Sequence, residues 1–123
     1  MPEAKTKWEP KGHTRDLTGL GWLEAEILRI VWDKQTATVR DVYEELRLRR
    51  RIAYTTVMSV LRNLAAKGLL IQDKSKPAYV YTAAVSDVAV AERILDALVD
   101  KIMGGNIEPL MDYLKRREAA AKQ

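Results

Sequence analysis

Residues 49–70 read RRRIAYTTVMSVLRNLAAKGLL, and the way this stretch folds decides the rest. Val57, Val60, Leu61 and Leu64 follow the i, i+3, i+4, i+7 spacing of one helix face. That spacing predicts a helix over residues 54–67 with this face buried. Gly68 stands where a left-handed residue closes such a helix. The start is less well marked, because Ala53 occupies the place where Ser or Asp would make a better cap. Each helical residue advances by about 100°. With the aliphatic face inward, Thr55, Thr56, Ser59, Arg62 and Asn63 therefore point outward. A helix that only closed a core would have no need of Arg49, Arg50 and Arg51 leading into it.

Short hydroxyl side chains let a helix approach base edges closely in a DNA major groove. Arginine and asparagine reach bases or phosphates. This assigns Thr55, Thr56 and Ser59 to base reading. It assigns Arg49, Arg50, Arg51, Tyr54, Arg62 and Asn63 to the sugar–phosphate backbone. The plainer alternative is an ordinary polar helix surface preceded by a solvated arginine turn, and residue types alone do not separate the two.

The flanking segments supply the context. In residues 20–34, LGWLEAEILRIVWDK, the side chains Leu20, Leu23, Ile27, Ile30 and Val31 recur at helical spacing and predict a first helix. Trp32 near its end belongs with the core. Thr38 followed by Asp41 resembles a capping box, with Val39, Val42, Tyr43 and Leu46 as the apolar stripe of a second helix. Residues 36–38 supply a very short strand before it. After the third helix, LLIQD and AYVYTAA alternate as strands around KSKP, a basic hairpin tip in which Lys74 and Lys76 reach a neighbouring phosphate or the minor groove. The resulting order is helix, short strand, helix, helix, strand, strand. It predicts a mainly α fold with a small β-hairpin, the winged helix-turn-helix layout, over residues 19–84. Residues 1–18, which mix Pro, Gly, Lys and Glu without period, read as a mobile arm.

Residues 85–123 differ. Ser86 caps a helix running to about residue 103, and Val88, Ala91, Leu95, Leu98 and Ile102 alternate steps of three and four as a heptad seam. The glycine pair at 104–105 breaks it. A second short helix carries Ile107, Leu110, Met111 and Leu114 on one side, and residues 115–123 read as a frayed polar end. The two apolar stripes predict a helical dimerisation region. The competing use of the first stripe is packing against the chain's own head.

The 123 residues carry a net charge of +4, unevenly placed: residues 40–76 hold nine basic and four acidic side chains. A local basic footprint points to a polyanion partner. There is no cysteine, which removes disulfides, thiolate metal sites and thiol catalysis. The single histidine, His13, lies in the arm, and no catalytic triad, phosphate loop or metal-spaced cluster is visible. Glu24 and Glu26 are too close in sequence to share a helix face as an acid pair. An enzyme is not expected, nor is a cofactor. No stretch has membrane-spanning length and the N-terminus is too polar for a secretory signal, so a soluble, cytoplasmic protein is expected.

Three segments together resemble the penicillinase-repressor family of winged-helix regulators (BlaI/MecI type). They are LGWLEAEILRIVWD, AYTTVMSVLRNLAAKGLL and AYVYTAA, within a resemblance that runs from about residue 17 to residue 103. The resemblance implies a homodimeric repressor on double-stranded, dyad-symmetric operator DNA, with β-lactam-resistance-type regulation as an expected setting. By position, Thr55, Thr56 and Ser59 match base-reading places, Asn63 a phosphate contact, and Lys74 and Lys76 the wing. It also brings a sensor protease as a further partner. In the resistance branch, induction follows cleavage of an Asn–Phe bond, and this chain has Asp112 and Tyr113 at the corresponding place. The cysteine cluster of the copper-responsive branch is absent, and the arm is longer than the resemblance implies. A winged-helix module that binds an acidic protein partner instead of DNA is the alternative reading.

Overall fold

The computed structural model describes residues 19–122, so the proposed arm at 1–18 lies outside the described residues. Five helices and three strands follow in order: α1 (Trp22–Lys34), β1 (Thr36–Thr38), α2 (Val39–Leu46), α3 (Tyr54–Ala66), β2 (Leu70–Asp73), β3 (Val80–Ala83), α4 (Asp87–Lys101) and α5 (Glu108–Ala121).

The core is aliphatic. Ile27, Leu28 and Val31 of α1 meet Val42 and Leu46 of α2 and Val57, Leu61 and Leu64 of α3, with all eight side chains fully buried. Burial of a side chain of this size stabilises by roughly 1.5–3 kcal/mol. The three from α3 alone therefore suffice to fix which side of that helix faces in. Val60 is only half-buried, at the margin of the stripe. Trp32 packs against the core as expected, and its indole N–H donates to the Val85 carbonyl at 2.9 Å.

Local signals set the helix ends. Thr38 accepts from the Asp41 amide at 3.1 Å, and Asp41 Oδ2 accepts from the Thr38 amide at 3.0 Å, which closes the capping box at the start of α2. Gly68, at φ 87°, ends α3. Its amide donates to Ala65 and the Leu69 amide to Leu64, both at 3.0 Å, the paired bonds of a Schellman turn. Ser86 Oγ accepts from the Ala89 amide at 3.0 Å and caps α4.

Two expectations are corrected. The hairpin is not a two-stranded unit, because β1 also pairs antiparallel with β3, giving the order β1-β3-β2. Ala37 lies opposite Tyr81 and both are buried, so a three-residue strand is held by the sheet it joins. Nor do residues 115–121 fray: they continue α5 to Ala121. Lys, Arg, Glu and Ala are strong helix formers, and a run of them extends a helix without needing an apolar face.

Helix α4 enters the core at Val90, with Ala89 and Ile94 packed beside it. No residue of α5 is buried. Among the described residues, no helix is long and apolar enough to cross a membrane.

The capping box gives a direct stability test. Thr38→Ala removes the acceptor for the Asp41 amide and is expected to destabilise the fold by about 1 kcal/mol in chemical denaturation.

Candidate nucleic-acid interface

The face of α3 opposite the core is open. Thr55, Thr56, Ser59, Arg62 and Asn63 are all exposed, whereas Val57, Leu61 and Leu64 have no accessible surface. None of the three hydroxyl groups is tied into a hydrogen bond with another described residue. Tyr54, at the first turn, meets Tyr43 edge-on with ring centroids 5.4 Å apart, and the Arg40 guanidinium stands 5.9 Å from its ring centre.

A groove of about 550 Å³ runs between α3 and the wing. Tyr54, Met58 and Arg62, spaced four apart on α3, form one wall, with Arg40 beside them, and Pro77, Tyr79 and Tyr81 form the other. Gln72 Nε2 donates to the Tyr81 hydroxyl at 2.6 Å. Burial raises the Tyr81 phenol above its ordinary range, against the opposing pull of Gln72 and Arg62, so it stays neutral near neutral pH. The groove thus offers aromatic walls and cationic edges beside the hydroxyl face.

The wing tip carries Lys74 and Lys76, both exposed. Asp73 closes the tip onto Ser75, accepting from its hydroxyl at 2.6 Å and from its amide at 2.9 Å. These two bonds hold the Asp73 carboxyl below its ordinary range, the hydroxyl bond contributing most.

The three arginines before α3 divide. Arg49 reaches Glu26 at 3.2 Å and Glu45 at 2.7 Å. Arg50 stands 2.6 Å from the second Glu26 oxygen, as an ion pair without hydrogen-bond geometry. Arg51 is exposed and forms no ion pair among the described residues. Glu26 is nearly buried, at 9 % exposure. At the other end of α3, Lys67 Nζ meets Glu24 Oε2 at 2.7 Å, and Glu24 Oε1 accepts from the Gly21 amide at 3.0 Å. The two glutamates of α1 are therefore not an acid pair: Glu24 takes Lys67 from just past α3, and Glu26 takes Arg49 and Arg50 from the turn that ends α2.

Sequence reasoning missed Glu26, Glu24, Lys67 and the Arg40–Tyr54–Tyr43 contact. One signal was present. Glu26 lies three residues after Leu23 and four before Ile30, on the apolar stripe of α1, and a carboxylate there needs partners.

Of the side chains proposed for dimerisation, Val88, Ala91, Leu95, Ile102, Ile107, Met111 and Leu114 are exposed, and Leu98 and Leu110 are half-buried. None belongs to the head's core cluster; the α4 residues that pack there are Ala89, Val90 and Ile94. Among the described residues, no group of three or more His, Cys, Asp or Glu gathers around a possible metal position.

A helix-turn-helix whose second helix leaves one polar face bare, closed by a hairpin alongside, defines the winged helix-turn-helix class, and the head of this chain belongs to it. Comparison with known proteins takes the assignment further. The penicillinase repressor family profile matches residues 20–123. The transcriptional regulator BlaI of Mycobacterium tuberculosis is 37% identical over 106 residues, covering 85% of this chain and 77% of the relative. The methicillin resistance regulatory protein MecI of Staphylococcus aureus is 19% identical over 98 residues, covering 80% and 77%. Two solved structures share the fold. The DNA-binding domain of the repressor BlaI superposes with a TM-score of 0.53 at 21% identity, covering 62% of this chain and 93% of that one. Monomeric Bacillus licheniformis BlaI in complex with the blaP half-operator gives 0.50 at 23%, covering 57% and 85%. The chain belongs to the penicillinase-repressor family, a family of transcriptional regulators and not of enzymes.

The ion pairs at Glu26 generate a stability prediction. Removing both cations in an Arg49→Ala, Arg50→Ala double variant leaves a nearly buried carboxylate without its two α1-to-turn partners. Since both guanidinium groups are about half exposed, the expected cost is discounted to about 2 kcal/mol, read from urea denaturation.

Proposed function

We propose that this protein is a transcriptional repressor that binds a palindromic operator as a homodimer, each head laying α3 in a major groove. The observation that carries the reading is the two-sidedness of α3: three aliphatic side chains fully buried, three hydroxyl side chains bare on the opposite side. Thr55, Thr56 and Ser59 read base edges. Arg51, Tyr54, Arg62 and Asn63 position the helix on the backbone, and Lys74 and Lys76 do the same from the wing. The groove between α3 and the wing admits a stretch of sugar–phosphate, with Arg40 and Arg62 at its edges. The half-operator complex of the Bacillus licheniformis relative supports operator DNA as the partner.

The dimer reading rests on the apolar surface left over once the head is closed. Val88, Leu95 and Ile102 of α4 and Ile107, Met111 and Leu114 of α5 form exposed stripes that the head does not use. A second copy buries them and places two heads on one dyad, matching protein symmetry to operator symmetry. The site of action is then the cytoplasm, and the names of the BlaI and MecI relatives favour β-lactam-resistance-type regulation. Release by a sensor protease requires α5 to open first, since the bond between Asp112 and Tyr113 lies within that helix.

Two experiments test this. In quantitative gel shifts on DNA from upstream of the protein's own gene, Thr56→Ala is expected to lower operator discrimination by ~1–3 kcal/mol and to leave non-specific binding nearly intact. A Lys74→Ala, Lys76→Ala variant is expected to weaken binding to every sequence and flatten the salt dependence by about one to two phosphate contacts. If wild-type protein gives no salt-sensitive, sequence-selective shift, the protein-binding module is the better reading. In sedimentation at micromolar concentration, Leu95→Glu combined with Met111→Glu is expected to turn a dimer into a monomer without loss of helical signal.

A further inference from the structure

The head contains a charge arrangement that the operator-binding reading leaves unused. Ion pairs to α1 stand just past the C-terminal end of α3 and on the turn that ends α2, ahead of α3. Lys67, just past the C-terminal end, meets Glu24 at 2.7 Å. Arg49 and Arg50, in the turn before the N-terminal end, converge on opposite oxygens of Glu26 at 3.2 and 2.6 Å. Glu45 on α2 takes the second Arg49 nitrogen at 2.7 Å.

We propose that Glu24 and Glu26 are positioning residues for DNA recognition: Glu24 ties down the C-terminal end of α3, and Glu26 holds the turn that leads from α2 toward α3 and keeps Arg49 and Arg50 off the phosphates. This rests on the operator-binding reading above.

The argument is one of relative solvation. Glu26 is 9 % exposed, and a carboxylate that has lost most of its water depends on its cations. A phosphate on the duplex surface stays hydrated and surrounded by mobile counterions, which makes it the less demanding partner. Transfer of Arg50 to a phosphate would leave Glu26 with Arg49 alone, and Arg49 is already shared with Glu45. The basic run 49–51 therefore splits by role. Arg49 and Arg50 serve the fold, and Arg51, without an ion pair among the described residues, serves the backbone of the nucleic acid.

This division matters for specificity because a guanidinium that grips any phosphate favours all sequences equally. Holding two of them back lowers the non-specific background against which the hydroxyl face is read. A fixed pose also keeps Thr55, Thr56 and Ser59 at one depth relative to the groove.

The test uses the full chain, with affinity measured by fluorescence anisotropy on operator DNA and on a scrambled duplex across a salt series. Arg50→Ala is expected to leave the salt slope unchanged, while Arg51→Ala flattens it by about one phosphate contact. Glu26→Gln is expected to tighten binding to the scrambled duplex, steepen its salt slope by one to two contacts, and reduce the operator-to-scrambled ratio about tenfold. Lys67→Met is expected to reduce that ratio without changing the slope. Helical signal by circular dichroism checks each variant, and the two arginine variants decide the matter if Glu26→Gln fails to fold. The inference is overturned if Arg50→Ala flattens the slope as much as Arg51→Ala does. It is equally overturned if a folded Glu26→Gln protein keeps the wild-type ratio and slope. Wild-type protein without salt-dependent, operator-selective binding would overturn the operator reading and this inference together, whereas failure of the variants alone leaves the operator reading standing.

Discussion

The head depends on a single constraint: α3 has one side that must be dry. Val57, Leu61 and Leu64 lie one above another along the helix and have no accessible surface, pressed against α1 and α2. A helix is rigid in rotation at about 100° per residue, so committing those three side chains commits every other side chain on it. Thr55, Thr56 and Ser59 are outward for the same reason that Leu61 is inward. No additional interaction is required to present them. Surface chemistry and core packing are thus two readings of one rotational setting, and a slip of one residue would bury polar groups and expose the aliphatic row together.

Rotation alone leaves the tilt of α3 open, and beside the apolar contacts stand the ion pairs of α1. Glu24 and Glu26 stand on the same helix, two residues apart, and meet cations in different places: Lys67 just past the end of α3, and Arg49 and Arg50 on the turn that ends α2. The partners lie in different places because side chains two apart on a helix diverge widely. The apolar contacts between α1 and α3 set a distance and a facing; the ionic contacts add directional ties at the end of α3 and on the turn that ends α2. Ion pairs this close to the surface contribute modestly to stability. Their directional effect is on geometry.

Much of this was legible in residue order. The α3 stripe, the capping box from Thr38 to Asp41, the Ser86 cap and the glycine end at Gly68 all announce themselves within four residues of sequence, the range over which helix chemistry acts. The hydroxyl face follows from the stripe by arithmetic. The ion pairs were hidden because they join residues 23 and 43 positions apart, where no periodicity links partner to partner. The short strand at 36–38 was legible, but its pairing was hidden for a related reason. Three residues of Thr36–Thr38 have too little pattern to declare a sheet, and only the opposing row Thr82, Tyr81, Val80 makes them one. The end of α5 was misjudged because a polar composition suggests a tail, while helix propensity without an apolar face is a weaker cue that here prevailed.

Strand β1 has a mechanical meaning. Its last residue, Thr38, does two jobs at once: it is bridged to Val80 on the hairpin, and its hydroxyl holds the first turn of α2. The hairpin is therefore not a loose flap beside the helices. A displacement of β3 is carried through one residue into the helix that precedes the turn into α3. Whatever displaces the hairpin tip also tugs, through that shared threonine, on the seating of the helix pair, so sheet and helices yield as one stiff piece instead of as two independent fingers.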